Sequence, residues 1–213
     1  MRKNFMPCSE LLCVCLLLSF ALAGCASRRV RLTETGFLSS YTDLKEDEES
    51  GMRVYRNPGV EIGDRYSKII IAPVQFEMDP AVEADKINDE DKEILAGYFY
   101  EQLENGLSGN YEIADKAGAD VLILRSAITN IVPNIGVLNL NWMSLMIGTG
   151  LGGASLEAEL VDSLTGERML AFQDARKGRK FRKGFAKWGS AEEALAFWAG
   201  IMAENLNQLK GKY

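Results

Sequence analysis

The sequence predicts an α+β fold, a two-layer sandwich in which two amphipathic helices cover one face of a mostly antiparallel sheet of about four to five strands. Three observations carry this. Ile69-Ile70-Ile71 and Val121-Leu122-Ile123-Leu124 have the unbroken apolar character of strands buried on both faces. Residues 154–177 alternate apolar and polar on either side of Ser163-Leu164-Thr165-Gly166, as a hairpin does. Two stretches, near 88–107 and 190–209, repeat apolar residues at helical spacing. Packing both helices on one side of a sheet buries all of these faces at once.

The chain opens on an address. Arg2 and Lys3 form a basic start, Leu11 to Leu22 is apolar, and Ala23 and Gly24 are small. Residues 1–24 therefore read as a secretory signal peptide that is removed, too short to be a stable span. Leu22-Ala23-Gly24-Cys25 resembles the lipobox of bacterial lipoprotein precursors. That resemblance implies lipidation of the Cys25 sulfur, cleavage before it and acylation of the new N-terminus. At ~0.8 kcal/mol per buried methylene, several acyl chains make such an anchor effectively permanent. Ala26, rather than aspartate, follows the cysteine. The resemblance therefore favours the outer membrane, facing the periplasm, over the inner membrane. The plainer alternative is an ordinary secretory cleavage site.

Residues 25–51 read as the lipidated N-terminus and a tether, and 52–213 as a single α+β domain. Within the tether, Phe37, Leu38, Tyr41 and Leu44 have the composition to pack on the domain as a short helix or turn, while Lys45 to Glu49 reads as a solvated acidic loop. Residues 52–56 suit a short strand, closed by Asn57-Pro58-Gly59. A better strand runs from Lys68 to Phe76, with Pro73 marking an edge or an end because it cannot donate to a ladder. A helix begins near Asn88 or Asp89, where acidic residues favour the N-terminal dipole. Its stripe is Leu95, Phe99, Leu103 and Leu107, widened by Ile94 and Tyr98, and Ser108-Gly109-Asn110 ends it.

The strand starting at Val121 continues to Val132, with Leu122, Leu124, Ile128 and Val132 on one face. In the hairpin, Leu156, Ala158 and Leu160 face the core, with Glu157 and Glu159 opposite. Pairing Asp162 with Glu167 sets Leu160 against Met169 and Ala158 against Ala171. The last helix carries a capping box, Ser190 to Glu193. Its stripe is Ala191, Leu195, Trp198, Met202, Leu206 and Leu209, and Gly211 stops it.

Four stretches together resemble a family of bacterial lipoproteins catalogued as domain of unknown function 3313. They are Gly36-Phe37-Leu38-Ser39-Ser40-Tyr41, residues 66–74, Asp162-Ser163-Leu164-Thr165-Gly166-Glu167, and Lys187-Trp188 before the last helix. The resemblance spans nearly all of the mature chain. It implies an envelope lipoprotein and supplies no catalytic residues.

Composition narrows the chemistry. With no histidine, Ser-His and Cys-His nucleophile pairs are excluded and a zinc enzyme is disfavoured. Of the cysteines Cys8, Cys13, Cys15 and Cys25, only Cys25 survives removal of 1–24, so neither an internal disulfide nor a thiolate metal set is expected. Residues 30–124 carry 21 acidic against 9 basic side chains, and 125–213 carry 8 against 11. The acidic first half argues against nucleic acid as a partner. Gly148 to Gly153 has the spacing G-x-G-x-x-G, but strand-like alternation follows it rather than a helix. It reads as a flexible loop, and no cofactor is expected.

Two stretches remain as candidate binding features. No charged residue lies between Arg125 and Glu157. Within that stretch Leu138, Leu140, Trp142, Met143, Leu145 and Met146 suit either a buried strand or an apolar flap (residues 135–153) that meets a partner or the membrane. Arg176, Lys177, Arg179, Lys180, Arg182, Lys183 and Lys187 form a basic patch interleaved with aromatics, either solvated or directed at anionic headgroups. The first functional expectation is a non-catalytic binding or assembly module of the envelope, held in the bilayer by acylated Cys25 and working with an envelope protein partner. A membrane-active or pore-forming subunit using 135–153 is the alternative, and an envelope hydrolase built on paired carboxylates the second alternative.

Overall fold

The structure, a computed structural model, describes residues 32–48, 50–60, 62–78, 87–134, 152–178 and 186–210. Its elements are β1 (Lys45–Glu46), β2 (Arg53–Arg56), α1 (Ile62–Arg65), β3 (Lys68–Ile71), β4 (Gln75–Phe76), α2 (Asp89–Leu107), β5 (Glu112–Ile113), β6 (Val121–Val132), β7 (Gly153–Asp162), β8 (Arg168–Lys177) and α3 (Gly189–Lys210). The strands form one sheet in the order β1-β2-β8-β7-β6-β3-β5, with β4 paired to β6. Helices α2 and α3 share one core with its inner face.

The α+β class stands, but the strand count and pairing are corrected. The described residues form eight strands rather than four to five. Pairs β3–β6, β3–β5 and β4–β6 are parallel, so the sheet is mixed. β4 is the far part of the strand predicted from Lys68 to Phe76, divided at Pro73, and β1 and β5 are two residues long and show no period to read. The parallel pairing of β3 with β6 follows from the crossover through α2, because strands joined by a helix return in the same direction. Pro73 breaks what is otherwise one run along β6. Ala72 still donates to the Leu124 carbonyl at 2.9 Å, and the pairing resumes at Gln75.

Both long helices bury the predicted stripes. Asn88 caps α2, its side chain accepting from the Asp91 amide at 2.7 Å, and Leu95, Phe99, Leu103 and Leu107 are fully buried. Ile94 points outward and does not widen that stripe. Helix α3 begins at Gly189, so Ser190 lies inside it and is not the predicted cap. The Ser190 hydroxyl instead donates to Asn134 Oδ1 at 2.6 Å. The two helices cross closely where Gly106 faces Ala203, since a Cβ on Gly106 would lie 2.7 Å from that of Ala203.

The hairpin register also differs from expectation. Asp162 does donate its amide to the Glu167 carbonyl at 2.9 Å, but an irregularity follows at once. Val161 pairs with Arg168 and Leu160 with Leu170, which leaves Met169 as the extra residue of a bulge. The rest of β8 is shifted by one, so Phe172 stands opposite Ala158 and Ala171 opposite Glu159. Because strand side chains alternate, that single residue exchanges the faces of Ala171 and Phe172. A second irregularity in β6, between Ile128 and Asn130, brings Ile131 into the core where the alternation had placed Val132.

The hairpin turn explains the spelling of residues 162–167. Asp162 Oδ1 accepts from the Leu164 and Thr165 amides at 2.9 and 2.8 Å, and Gly166 takes φ +71°. Ser163 receives the Gly118 amide at 3.0 Å and donates to the Gly118 carbonyl at 2.9 Å, fastening the turn to the approach to β6. Asp162 Oδ2 accepts from the Tyr66 hydroxyl at 2.7 Å and from Arg65 at 3.1 Å. The Thr165 amide first, then the Tyr66 hydroxyl and Leu164 amide, hold the Asp162 carboxyl down at about 2, against 3.8 ordinarily. A depressed carboxyl contributes stability that is full above its unfolded value and lost as pH falls through the folded one. Urea unfolding should therefore show stability declining from pH 4 towards 2, and Asp162→Asn should flatten that limb.

Candidate functional site

Strand β7 is buried along its whole length, although its outer face carries two glutamates. Glu157 and Glu159 lie opposite the core-facing residues, as the alternation predicts, and the segment 33–44 lies over them. Glu157 accepts from the Thr35 amide at 3.3 Å, the Thr35 hydroxyl at 3.0 Å, the Tyr41 hydroxyl at 2.7 Å and Gln173 Nε2 at 2.9 Å. Glu159 accepts from Arg125 at 2.8 Å and from the Ser39 hydroxyl at 3.2 Å. Leu38 and Leu44 pack with Ala171, flanked by Phe37, Tyr41 and Tyr55. Arg168 clamps the far end of the segment, donating to the Ser40 carbonyl at 2.7 Å and pairing with Asp43. Burial first, then the Glu157 carboxylate, raises the Tyr41 hydroxyl above its usual value, so it remains a donor. These carboxylates hold the segment on the sheet.

The segment has a direction. Thr35 meets Glu157, Ser39 meets Glu159, and Asp43 meets Arg168, which pairs with Val161. It thus runs with β7, away from the end of the sheet where β6 stops, β7 starts and β8 stops. At that end Asn134 forms a knot. Its amide nitrogen donates to the Ala186 carbonyl at 2.7 Å, and its Oδ1 accepts from the Gly152 amide at 2.8 Å and from Ser190. The start of the segment, Asn134, Gly152 and Gly178 therefore lie towards one common end of the sheet.

The inner face offers a different feature, a cleft of about 560 Å³. Helix α3 forms one wall, with Ile201, Met202, Leu206 and Leu209; the sheet supplies Val54, Leu160, Leu170 and Phe172. It exists because α2 and α3 cover the sheet only as far as β8, while β2 extends beyond them. The bulge at Met169 sets its character, since the shifted register turns Phe172 rather than Ala171 to this face. Arg56 and Asp47 stand at opposite ends of β2, both lining the cleft, with Glu204 and Gln208 along the helix rim. Asp47 accepts from the Ser50 amide at 2.8 Å and Glu204 from Gln208 at 3.3 Å. The Arg56 side chain makes no hydrogen bond or ion pair among the described residues.

Of the candidate residues read from the sequence, Leu22, Ala23, Gly24, Cys25, Leu138, Leu140, Trp142, Met143, Leu145, Met146, Arg179, Lys180, Arg182 and Lys183 lie outside the described residues. The described members of the basic patch have separate roles. Arg176 turns to the inner face, donating to Asp174 at 2.7 Å with its guanidinium 3.5 Å from the centre of the Phe197 ring. Trp198 Nε1 donates to the same carboxylate at 2.8 Å. Lys187 pairs with Asp91 at 2.7 Å beside the Trp188 ring, tying the starts of α2 and α3 together, and its ammonium group holds the Asp91 carboxyl below its usual value. Lys177 is exposed. Sequence reasoning missed the cleft and Arg56 because they depend on which strand neighbours β8. Among the described residues, no group of three or more Cys, Asp or Glu is arranged to hold a metal, and no helix is long and apolar enough to cross a membrane.

Removing the acceptor under the segment should loosen it. Glu157→Ala removes the acceptor of the Tyr41 and Thr35 hydroxyls and one of the two acceptors of Gln173 Nε2, and should cost about 3 kcal/mol in urea unfolding and admit protease between 33 and 44. Tyr41→Phe, which removes one donor, should cost only about 1 kcal/mol.

Among solved structures, the PelC dodecamer from Paraburkholderia phytofirmans is 14% identical, with 70% of this chain and 96% of that chain covered at a TM-score of 0.42. Protein XCC0632 from Xanthomonas campestris is also 14% identical, with 76% and 95% covered and a TM-score of 0.42. Lipoprotein GNA1162 from Neisseria meningitidis is 12% identical, with 67% and 99% covered and a TM-score of 0.36. Likeness at this level does not bear on function. No curated protein matches the sequence. The model of one family, described as protein of unknown function (DUF3313), matches residues 33–202, which begin at the segment on the outer face and end within α3. The chain belongs to that family, as the motifs at 36–41, 66–74, 162–167 and 187–188 led one to expect.

Proposed function

We propose that this protein is an envelope lipoprotein, anchored through acylated Cys25 in the outer membrane and facing the periplasm, whose folded domain is a non-catalytic binding or assembly module. The observation that supports this most is the common end of the sheet. The N-terminal segment comes onto the domain there, and the chain departs there into the uncharged residues 135–151 and the basic residues 179–185. Leu32 lies seven positions after Cys25, a reach of at most about 25 Å. A lipid at Cys25 therefore holds this end within a short distance of the bilayer and leaves the opposite end to the aqueous space, and the basic residues are the proposed contact for anionic headgroups. The buried carboxylates are engaged in holding the N-terminal segment, the hairpin turn and Trp198, which favours binding over acid–base chemistry.

Fractionation tests the anchor. Wild-type protein should carry an acyl label and sediment with membranes, and Cys25→Ser should be folded, unlabelled and released. A Cys25→Ser protein that kept the label would overturn the reading. In that released form, replacing Arg179, Lys180, Arg182 and Lys183 with Ser should weaken binding to vesicles containing anionic lipid at least ~10-fold, at about 1 kcal/mol per basic residue near the surface. Unchanged affinity would remove the basic patch from the proposal.

A further inference from the structure

We propose that the cleft between α3 and strands β2 and β8 binds a single-chain anionic amphiphile, a long-chain carboxylate, with its alkyl chain along Val54, Leu160, Phe172 and Met202 and its head on Arg56. Size is the first argument. At about 560 Å³ the cleft falls within the range of small-molecule sites. Two turns of an added helix, ~10 Å across and ~11 Å long, would fill roughly 850 Å³, more than the cleft holds. An alkyl chain is narrower and takes up the length between Asp47 and Arg56.

The lining is the second argument. Leu160, Leu170, Phe172, Met202, Leu206 and Leu209 offer no polar atom beyond the backbone to the interior, and a methionine adapts to a flexible chain. Filling such a cleft with methylenes removes apolar surface from water on both partners.

Charge selects the head. The charged residues lining the cleft are Arg56, Asp47, Glu159 and Glu204, of which Glu159 turns its carboxylate to the other face of the sheet, where Arg125 and Ser39 hold it. Asp47 is bonded to Ser50 and Glu204 to Gln208, whereas the Arg56 guanidinium is unengaged among the described residues. Arg56 pairs with Leu170 and shares its face, so its fork stands where the apolar lining ends. A planar guanidinium takes a carboxylate in two parallel hydrogen bonds, while the two rim carboxylates repel the head from the other positions. The ligand thus has one orientation, head at the end of β2 nearest the C-terminus of α3. This site is separate from the end of the sheet assigned to the bilayer and does not depend on Cys25.

Photolabelling tests it on the anchored protein. The lipidated chain in phosphatidylcholine vesicles is exposed to hexadecanoate bearing a mid-chain diazirine, irradiated, and mapped by mass spectrometry. Label is expected on Val54, Phe172 and Met202, displaced by excess hexadecanoate and at least ~10-fold less well by hexadecanol. Arg56→Gln should reduce labelling ~10-fold, and Val54→Trp, which fills the cleft from an edge strand, should abolish it while circular dichroism stays unchanged. Label confined to residues outside the cleft, or equal competition by the alcohol and the acid, would overturn the proposal. A failure of the Cys25→Ser fractionation would leave this result standing, so the two readings fail separately.

Discussion

Everything in this domain depends on β7 being buried on both faces. One face meets α2 and α3 through Leu156, Ala158 and Leu160, as any central strand under helices does. The other presents Glu157 and Glu159, both less than 3% exposed. Leaving carboxylates out of water without partners is prohibitive, so the strand is tolerable only because residues 33–44 bring hydroxyls and amides to it and β6 brings Arg125. The two layers read from the sequence are thus joined by a partial third, made of the N-terminal segment and held by polar rather than apolar contacts. Its small apolar cluster of Leu38, Leu44 and Ala171 sits beside those bonds.

That arrangement explains what the sequence disclosed and what it withheld. The helices were legible because Leu95, Phe99, Leu103 and Leu107, and the longer stripe of α3, repeat over several turns. The long strands were legible from β-branched runs and from the turn at 162–166. Edge strands of two residues were not, since their position is decided by the neighbours they find rather than by their own side chains. The hairpin register failed at Met169 because a bulge leaves no mark on alternation until the partner is known. The face of Glu157 and Glu159 was legible and its cover was not, because alternation reports which face a residue shares, not what lies over that face.

The candidate sites divide along the same line. A run of basic side chains is written locally in the sequence, but its consequences depend on where the fold delivers its residues. Arg176 and Lys187 belonged to the basic run by sequence, and the fold uses them to tie Asp174 and Asp91. Arg56 drew no notice in the sequence and stands at the mouth of an apolar cleft. The distinction is between charge that is adjacent along the chain and charge that is adjacent in space.

The course of residues 33–44 along β7 has a mechanical consequence. A pull applied at Leu32 acts nearly parallel to the strand. The contacts of Thr35, Ser39, Tyr41 and Asp43 with the sheet are therefore loaded together, in shear, and must give way as a group. Had the segment crossed the strands, the same pull would peel them one after another at far lower force. The domain can thus be dragged or jostled by its N-terminus without being opened.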